Sequence, residues 1–281
     1  MTKLEEILKK LNSEHGTTEQ PTAEQFEEMQ CKWANEDSGN LNEKDGYNCD
    51  VCKNKGYIYF LQKSPYSNAN EMTVRNCECM KIRKTLARAK ESGLNNILSD
   101  YTFPKYETAE DWQKGIKEKA MSFCTDDEAR WFYIGGQSGA GKTHICTAIA
   151  GHYIKQGKNC RYMLWRDDAV KLKQLVNDFT EYQKLMTEFK QADVLYIDDL
   201  FKSQVGPQQN AEPTKADINI AFELLNNRLM DKDKITIISS EYMITEALEF
   251  DEATVGRIFQ NAGQYKVSIP KDRTKNYRLR G

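Results

Sequence analysis

The chain contains no apolar run approaching the roughly 18 residues that a membrane-spanning helix requires. Its opening stretch, MTKLEEILKKLNSEHG, carries acids and no long apolar segment, which argues against an export signal. The protein is therefore expected in the cytoplasm. An excess of one charge is missing as well. Lys and Arg number 40 against 42 Asp and Glu, a net charge of −2, and this excludes a polycation that coats nucleic acid over its whole surface. Any nucleic-acid contact has to be local. Internal repeats and low-complexity tracts are also lacking. What is present is a globular composition of 281 residues, 39% apolar and 10% aromatic, enough for a core in one large or two modest domains. The eight cysteines, in a chain without an export signal, do not read as a disulfide framework, so their spacing carries more meaning than their number.

Residues 1 to about 45 are strongly polar. Leu4, Ile7, Leu8 and Leu11 recur at the spacing of one helix face. The stretch TAEQFEEMQCKW predicts a second helix, with Thr22 as N-cap and Gln25 completing a capping box. Next come two aromatic and β-branched strands, in YNCDVCKNKGYIYFL and MTVRNCECMKIRK, joined by the polar turn SPYSNAN. From about Ser92 to Asp127 the chain has linker and helix character. Beyond that, the strands WFYIG, CRYMLW, DVLYID, KITIIS and YKVSI alternate with amphipathic helices, which implies an α/β fold with a parallel sheet covered on both faces. The expected division is 1–91 for a helical and cysteine-rich domain, 92–127 for a linker with the first helices, and 128–281 for the α/β domain.

Residues Gly136, Gln137, Ser138, Gly139, Ala140, Gly141, Lys142 and Thr143 match G-x-x-x-x-G-K-[ST] in full. The loop follows a predicted strand and opens a predicted helix, so its amides converge where the helix dipole favours an anion. Glycine is needed because Cβ atoms would keep the backbone away from phosphate oxygens. Lys142 is then expected on the β- and γ-phosphates and Thr143 on Mg²⁺. DVLYIDDL supplies the acids such a site needs: Asp198 to hold the magnesium and Asp199 to orient or deprotonate the attacking water. Without the loop, two adjacent acids at a strand end would read as a solvated turn.

Cys49-x₂-Cys52 and Cys77-x-Cys79 would bring four thiolates together if the two early strands pair as a hairpin, a donor set suited to Zn²⁺. A redox pair and unligated thiols are the competing readings, because the second pair is C-x-C rather than C-x₂-C. Cys31, Cys124, Cys146 and Cys160 read as small core residues. KIRKTLARAK and KDRTKNYRLRG are basic clusters that suit phosphates or an acidic protein face, with a solvated surface as the default. In MLWRDDAVKLKQLV, Trp165, Arg166, Lys171 and Lys173 could stack on bases and meet phosphates, although Trp165 reads equally well as core.

With these motifs in hand, the chain resembles the bacterial and phage helicase loaders of the DnaC/DnaI type, members of the AAA+ ATPases. The resemblance covers roughly residues 47 to 281 and is carried by YNCDVCKNKGY, GQSGAGKTH, YIDDL, TIISSE, VGRI and NYRLR. It implies an ATP-hydrolysing loader with a five-stranded AAA+ core that self-assembles through that core. Its implied partners are a hexameric replicative helicase and single-stranded DNA. It also implies that Arg257 is an arginine finger serving a neighbouring subunit, and that a polar sensor stands at the end of the KITIISSE strand. AAA+ proteins usually place Asn there, whereas this chain offers Ser239, Ser240 or Glu241. The chain ends too soon after the fifth strand for a helical lid domain. Two other functions compete with loading: a transposition helper ATPase of the IstB type, which normally lacks a zinc hairpin, and an ATP-binding adaptor or inhibitor with little turnover.

Overall fold

Strands β3 (Trp131–Gly136), β5 (Val194–Leu200) and β6 (Ile235–Ser240) are buried at nearly every position because both of their faces are covered. Alternate residues of each strand serve opposite layers, as the two-residue period of a strand requires. Phe132, Ile134, Val194, Tyr196 and Ile237 enter one cluster, while Trp131, Tyr133, Leu195, Ile197 and Ile238 enter the other. The computed structural model describes residues 22–64, 70–91, 94, 98–202 and 212–279. The predicted helix over Leu4–Leu11 and most of the SPYSNAN turn lie outside the described residues.

The chain divides into two compact units, Met1–Met80 and Lys81–Gly281. In the first, helix α1 (Ala23–Glu36) starts at the expected capping box, with Thr22 Oγ1 accepting from the Gln25 amide. A short helix α2 (Leu41–Asp45) precedes an antiparallel hairpin of β1 (Tyr57–Lys63) and β2 (Asn70–Asn76), paired from Tyr57↔Asn76 to Lys63↔Asn70. Helix α3 (Cys79–Glu91) begins at the end of this unit and from Lys81 onward belongs to the second.

The second unit holds the five-stranded sheet in the order β4-β5-β6-β3-β7, with β4 at Cys160–Leu164 and β7 at Lys266–Ile269, every pairing parallel. Helices α4 (Asp111–Thr125) and α5 (Lys142–Lys155) supply Ile116, Phe123, Ile145 and Ile149 to one layer. The other layer is built from α6 (Trp165–Gln174), α7 (Phe179–Gln191), α8 (Lys215–Leu229), α9 (Ile244–Leu248) and α10 (Glu252–Ala262). All five strands stand where the sequence predicts them. The one shift is Trp165, which begins α6 rather than ending β4; it is 1% exposed against Phe201 and belongs to the core, not to a base-stacking surface. After β7 the described residues form only two 3₁₀ turns, Arg273–Lys275 and Tyr277–Leu279.

Candidate functional site

The glycine loop leaves β3 at Gly136, whose φ of 110° lies in the region that disfavours L side chains. A Cβ at that position would stand 1.9 Å from the carbonyl oxygen of Ile269 on the neighbouring strand. Gly139 is equally constrained: its φ is 73°, and a Cβ there would meet the side-chain oxygen of Asn276 at 2.0 Å. The tail thus runs alongside the loop, with the Tyr277 amide donating to Gly139 O at 3.0 Å and the Asp272 amide to Gln137 Oε1 at 2.8 Å. Helix α5 begins at Lys142, so the loop amides gather at its N-terminus. Lys142 is 6% exposed, and its Nζ donates to the carbonyls of Gly136 and Gln137, both at 2.8 Å. Burial lowers its pKa, and Asp199 and Glu241 work in the opposite direction.

Two consecutive acids, Asp198 and Asp199, stand just before the last residue of β5. A bulge marks the place. Ile197 pairs with Ile238 and Leu200 with Ser240, so Asp198 and Asp199 together oppose Ser239, and Asp199 adopts φ 57°. Asp198 stays buried in a cage of hydroxyls. Tyr196 donates to its Oδ1 at 2.7 Å, Tyr162 to its Oδ2 at 3.0 Å and Thr143 to its Oδ1 at 3.3 Å, and Ser239 Oγ completes the set. Ser239 Oγ also accepts from the Asp199 amide at 3.0 Å. Asp199 turns outward to line the cleft, where burial and the neighbouring Asp198 raise its pKa while Lys202, at 2.9 Å, lowers it. Lys202 also donates to Glu241 at 2.9 Å.

Lys142, Thr143, Asp199, Lys202 and Glu241 border an open cleft of about 290 Å³, roughly the lower end of the range for ligand sites, and the caged Asp198 is not among its lining residues. One wall carries Tyr101 stacked on His144, ring centroids 4.8 Å apart and planes 13° apart, a flat surface suited to a heterocycle. Burial lowers the pKa of His144. Tyr277 and Arg278 of the tail also reach the cleft. Of the three sensor candidates, only Glu241 lines it. Ser239 and Ser240 are fully buried, Ser240 Oγ donating to the carbonyl of Leu200 at 2.9 Å. Arg257 is not among the residues of this cleft. It stands on the exposed side of α10, its guanidinium 4.9 Å from the Phe222 ring centroid and bonded to the carbonyl of Ala253 at 3.1 Å. Of the suggested basic contacts, Lys173 is committed to Asp217 at 2.9 Å and Lys171 to Asp168 at 2.8 Å.

Sequence reading missed Tyr162, Tyr196 and Lys202. Tyr196 had a signal, because it stands two residues before Asp198 on the same strand face. Tyr162 becomes visible only through the β4–β5 register, which sets it opposite Tyr196.

The four spaced cysteines come together at one end of the hairpin. Cys49, Cys52, Cys77 and Cys79 are all buried, with sulfurs mutually within 4.8 Å. The Cys49–Cys77 and Cys52–Cys79 sulfurs are 3.8 and 3.5 Å apart. A tetrahedron with Zn–S of about 2.3 Å has edges of about 3.8 Å, so the cluster fits zinc and leaves no fifth position for a substrate. Lys53 and Asn54 hold positive φ in the first knuckle, and Asn54 Oδ1 accepts from the Cys49 amide at 2.8 Å. Burial opposes ionisation of Cys52, but the Gly56 amide and the other sulfurs outweigh it and bring that thiol down to about 7. Cys146 and Cys160 are buried core residues, whereas Cys31 and Cys124 are only partly covered.

The family described as IstB-like ATP binding protein matches residues 60–255, well over half the chain. The uncharacterized protein YqaM of Bacillus subtilis (strain 168) is 30% identical over 217 residues, which is 73% of this chain and 66% of that protein. The replicative helicase loader DnaC of Buchnera aphidicola subsp. Acyrthosiphon pisum (strain APS) is 23% identical over 177 residues, 61% of this chain and 67% of the relative. The chain thus spans about two thirds of the length of these relatives. Among solved structures, the replication initiator DnaA bound to AMPPCP and single-stranded DNA superposes with a TM-score of 0.50 at 20% identity, covering 62% of this chain and 51% of that one. That likeness concerns the fold alone. The glycine loop, the caged acid beside it and the match through residues 60–255 together make this chain a member of the IstB-like ATP-binding family, with DnaC among its relatives.

Proposed function

We propose that the protein is an ATP-hydrolysing loader that places a hexameric replicative helicase on single-stranded DNA. The observation that carries the reading is a cleft lined by the glycine loop and Asp199, with the caged Asp198 bonded to the loop's Thr143, in a chain whose relatives include a replicative helicase loader. The loop amides and Lys142 bind the phosphates, and Asp199 orients or deprotonates the attacking water. The hard oxygens of Thr143 and Asp198, 3.3 Å apart, are the pair that would hold Mg²⁺, whose role is to neutralise phosphate charge. Arg257, outside its own cleft, serves the site of an adjacent subunit. One zinc, held by Cys49, Cys52, Cys77 and Cys79, staples a unit that makes the helicase contact, so residues 1 to about 91 bind helicase and the remainder carries the ATPase. In the host setting, mixing the protein with the replicative helicase, with and without ATP, and measuring the mass of the complex tests the reading. A complex that forms and depends on ATP supports loading; no complex under either condition overturns it.

A further inference from the structure

The cleft contains a cation that the nucleotide loop does not supply. Lys202 follows β5 through a turn in which Asp199 and Phe201, neither of them glycine, hold φ of 57° and 67°. Such backbone is strained, and Phe201, 1% exposed and packed on Trp165, holds it in place. The turn brings the Lys202 ammonium between two carboxylates from different strand ends, Asp199 Oδ2 and Glu241 Oε1, each at 2.9 Å. All three side chains keep between 21% and 27% exposure, open to the cleft and not sealed in the core. An ordinary surface ion pair would not call for a strained turn.

Charge explains what the arrangement does. Two acids facing an anionic ligand would repel it, since like charges at such distances oppose each other strongly in a partly dry site. Lys202 converts that wall into one that presents an ammonium. Burial works against its charge, and the two carboxylates outweigh burial, so the group stays protonated. The wall lies within electrostatic reach of the Lys142 ammonium, the end of the loop that meets the β- and γ-phosphates. A diphosphate is served by the loop amides and Lys142. A third phosphate brings additional negative charge to the lysine–carboxylate wall.

We propose that Lys202, held by Glu241, is the residue by which this site distinguishes a nucleoside triphosphate from a diphosphate. On this account the ammonium exchanges Asp199 for the terminal phosphate, keeps Glu241, and leaves Asp199 free for water. The inference rests on the ATP reading given above, and its failure is separable from the failure of that reading. Affinities of ATPγS and ADP for the full chain are measured by displacement of a fluorescent nucleotide in the wild type, Lys202→Ala, Lys202→Arg, Glu241→Gln and the Lys202→Ala/Glu241→Gln double variant. Lys202→Ala is expected to weaken ATPγS tenfold or more while ADP changes less than threefold. Lys202→Arg is expected to recover most of the difference. Glu241→Gln added to Lys202→Ala is expected to restore part of the ATPγS affinity, because it removes an acid left without its cation. Equal losses for both nucleotides, or no loss, in a Lys202→Ala protein whose circular dichroism matches the wild type would overturn the role of Lys202. A wild type that binds neither nucleotide would instead overturn the ATP reading.

Discussion

Ser239 holds two things at once, and removing its hydroxyl should cost more than removing any other member of the cage. Its Oγ donates to Asp198 and accepts the Asp199 amide at 3.0 Å, at a position with no solvent exposure. Loss of a hydrogen bond to a charged acceptor costs about 1.5–3 kcal/mol, and a buried amide left without an acceptor adds about 1–3 kcal/mol. Ser239→Ala is therefore expected to destabilise the second unit by about 2.5–6 kcal/mol. Tyr196→Phe removes one bond to the same carboxylate oxygen and leaves no backbone amide without an acceptor, so about 1.5–3 kcal/mol is expected. With a urea m-value of about 2 kcal/mol/M, the midpoints fall by about 1–3 M and about 1 M respectively. Trp131 and Trp165, both buried in this unit, report the transition by fluorescence. Because the two hydroxyls share Oδ1, the double variant should cost less than the sum of the singles. The reasoning is refuted if Ser239→Ala costs no more than Tyr196→Phe, since the Asp199 amide would then not depend on that oxygen.

Lys142→Ala should abolish nucleotide binding, whereas Asp199→Asn should bind ATP and not hydrolyse it; hydrolysis by Asp199→Asn at the wild-type rate removes that residue from its role. Freshly purified protein should carry one zinc per chain by elemental analysis, and a chelator should unfold the hairpin unit while leaving nucleotide affinity within about twofold. Finding no zinc refutes the assignment. Arg257→Ala and Lys142→Ala proteins, each inactive alone, should regain part of the hydrolysis when mixed, because one keeps an intact loop and the other an intact finger; an arginine supplied in trans is worth about 10³ or more. If the two associate and remain inactive, Arg257 does not act across an interface.

Much of the candidate site was legible because its parts are local in sequence. The glycine loop announces itself by spacing, and the acids follow an apolar run that can only be a covered strand. The cysteine pairs likewise sit at the ends of two readable strands. The hydroxyl cage was not legible. Tyr162, Tyr196, Thr143 and Ser239 come from β4, β5, α5 and β6, and parallel register, which no local pattern encodes, sets them around one carboxylate. Nor does the sequence announce the bulge: nothing in YIDDLF marks two residues opposing one, and without it the direction of Asp199 and the reach of Lys202 cannot be read. The sensor ambiguity had the same origin, since which of Ser239, Ser240 and Glu241 faces the cleft depends on where β6 ends relative to that bulge.

The tail is fastened to the loop at both of its ends. The Gln137 amide bonds the carbonyl of Ile269 at 3.0 Å, Asp272 bonds Gln137, and Tyr277 bonds Gly139, so the stretch from 270 to 276 runs between fixed posts. The spacing of those posts therefore sets how many residues the connection can hold. Lys271 bonds Glu246 at 3.0 Å within that stretch, and one residue inserted or removed would move either Asn276 away from Gly139 or Tyr277 off its carbonyl, so the loop would feel the change. The number of residues between Ile269 and Tyr277 thus constrains where the loop can stand, a constraint that no single contact displays.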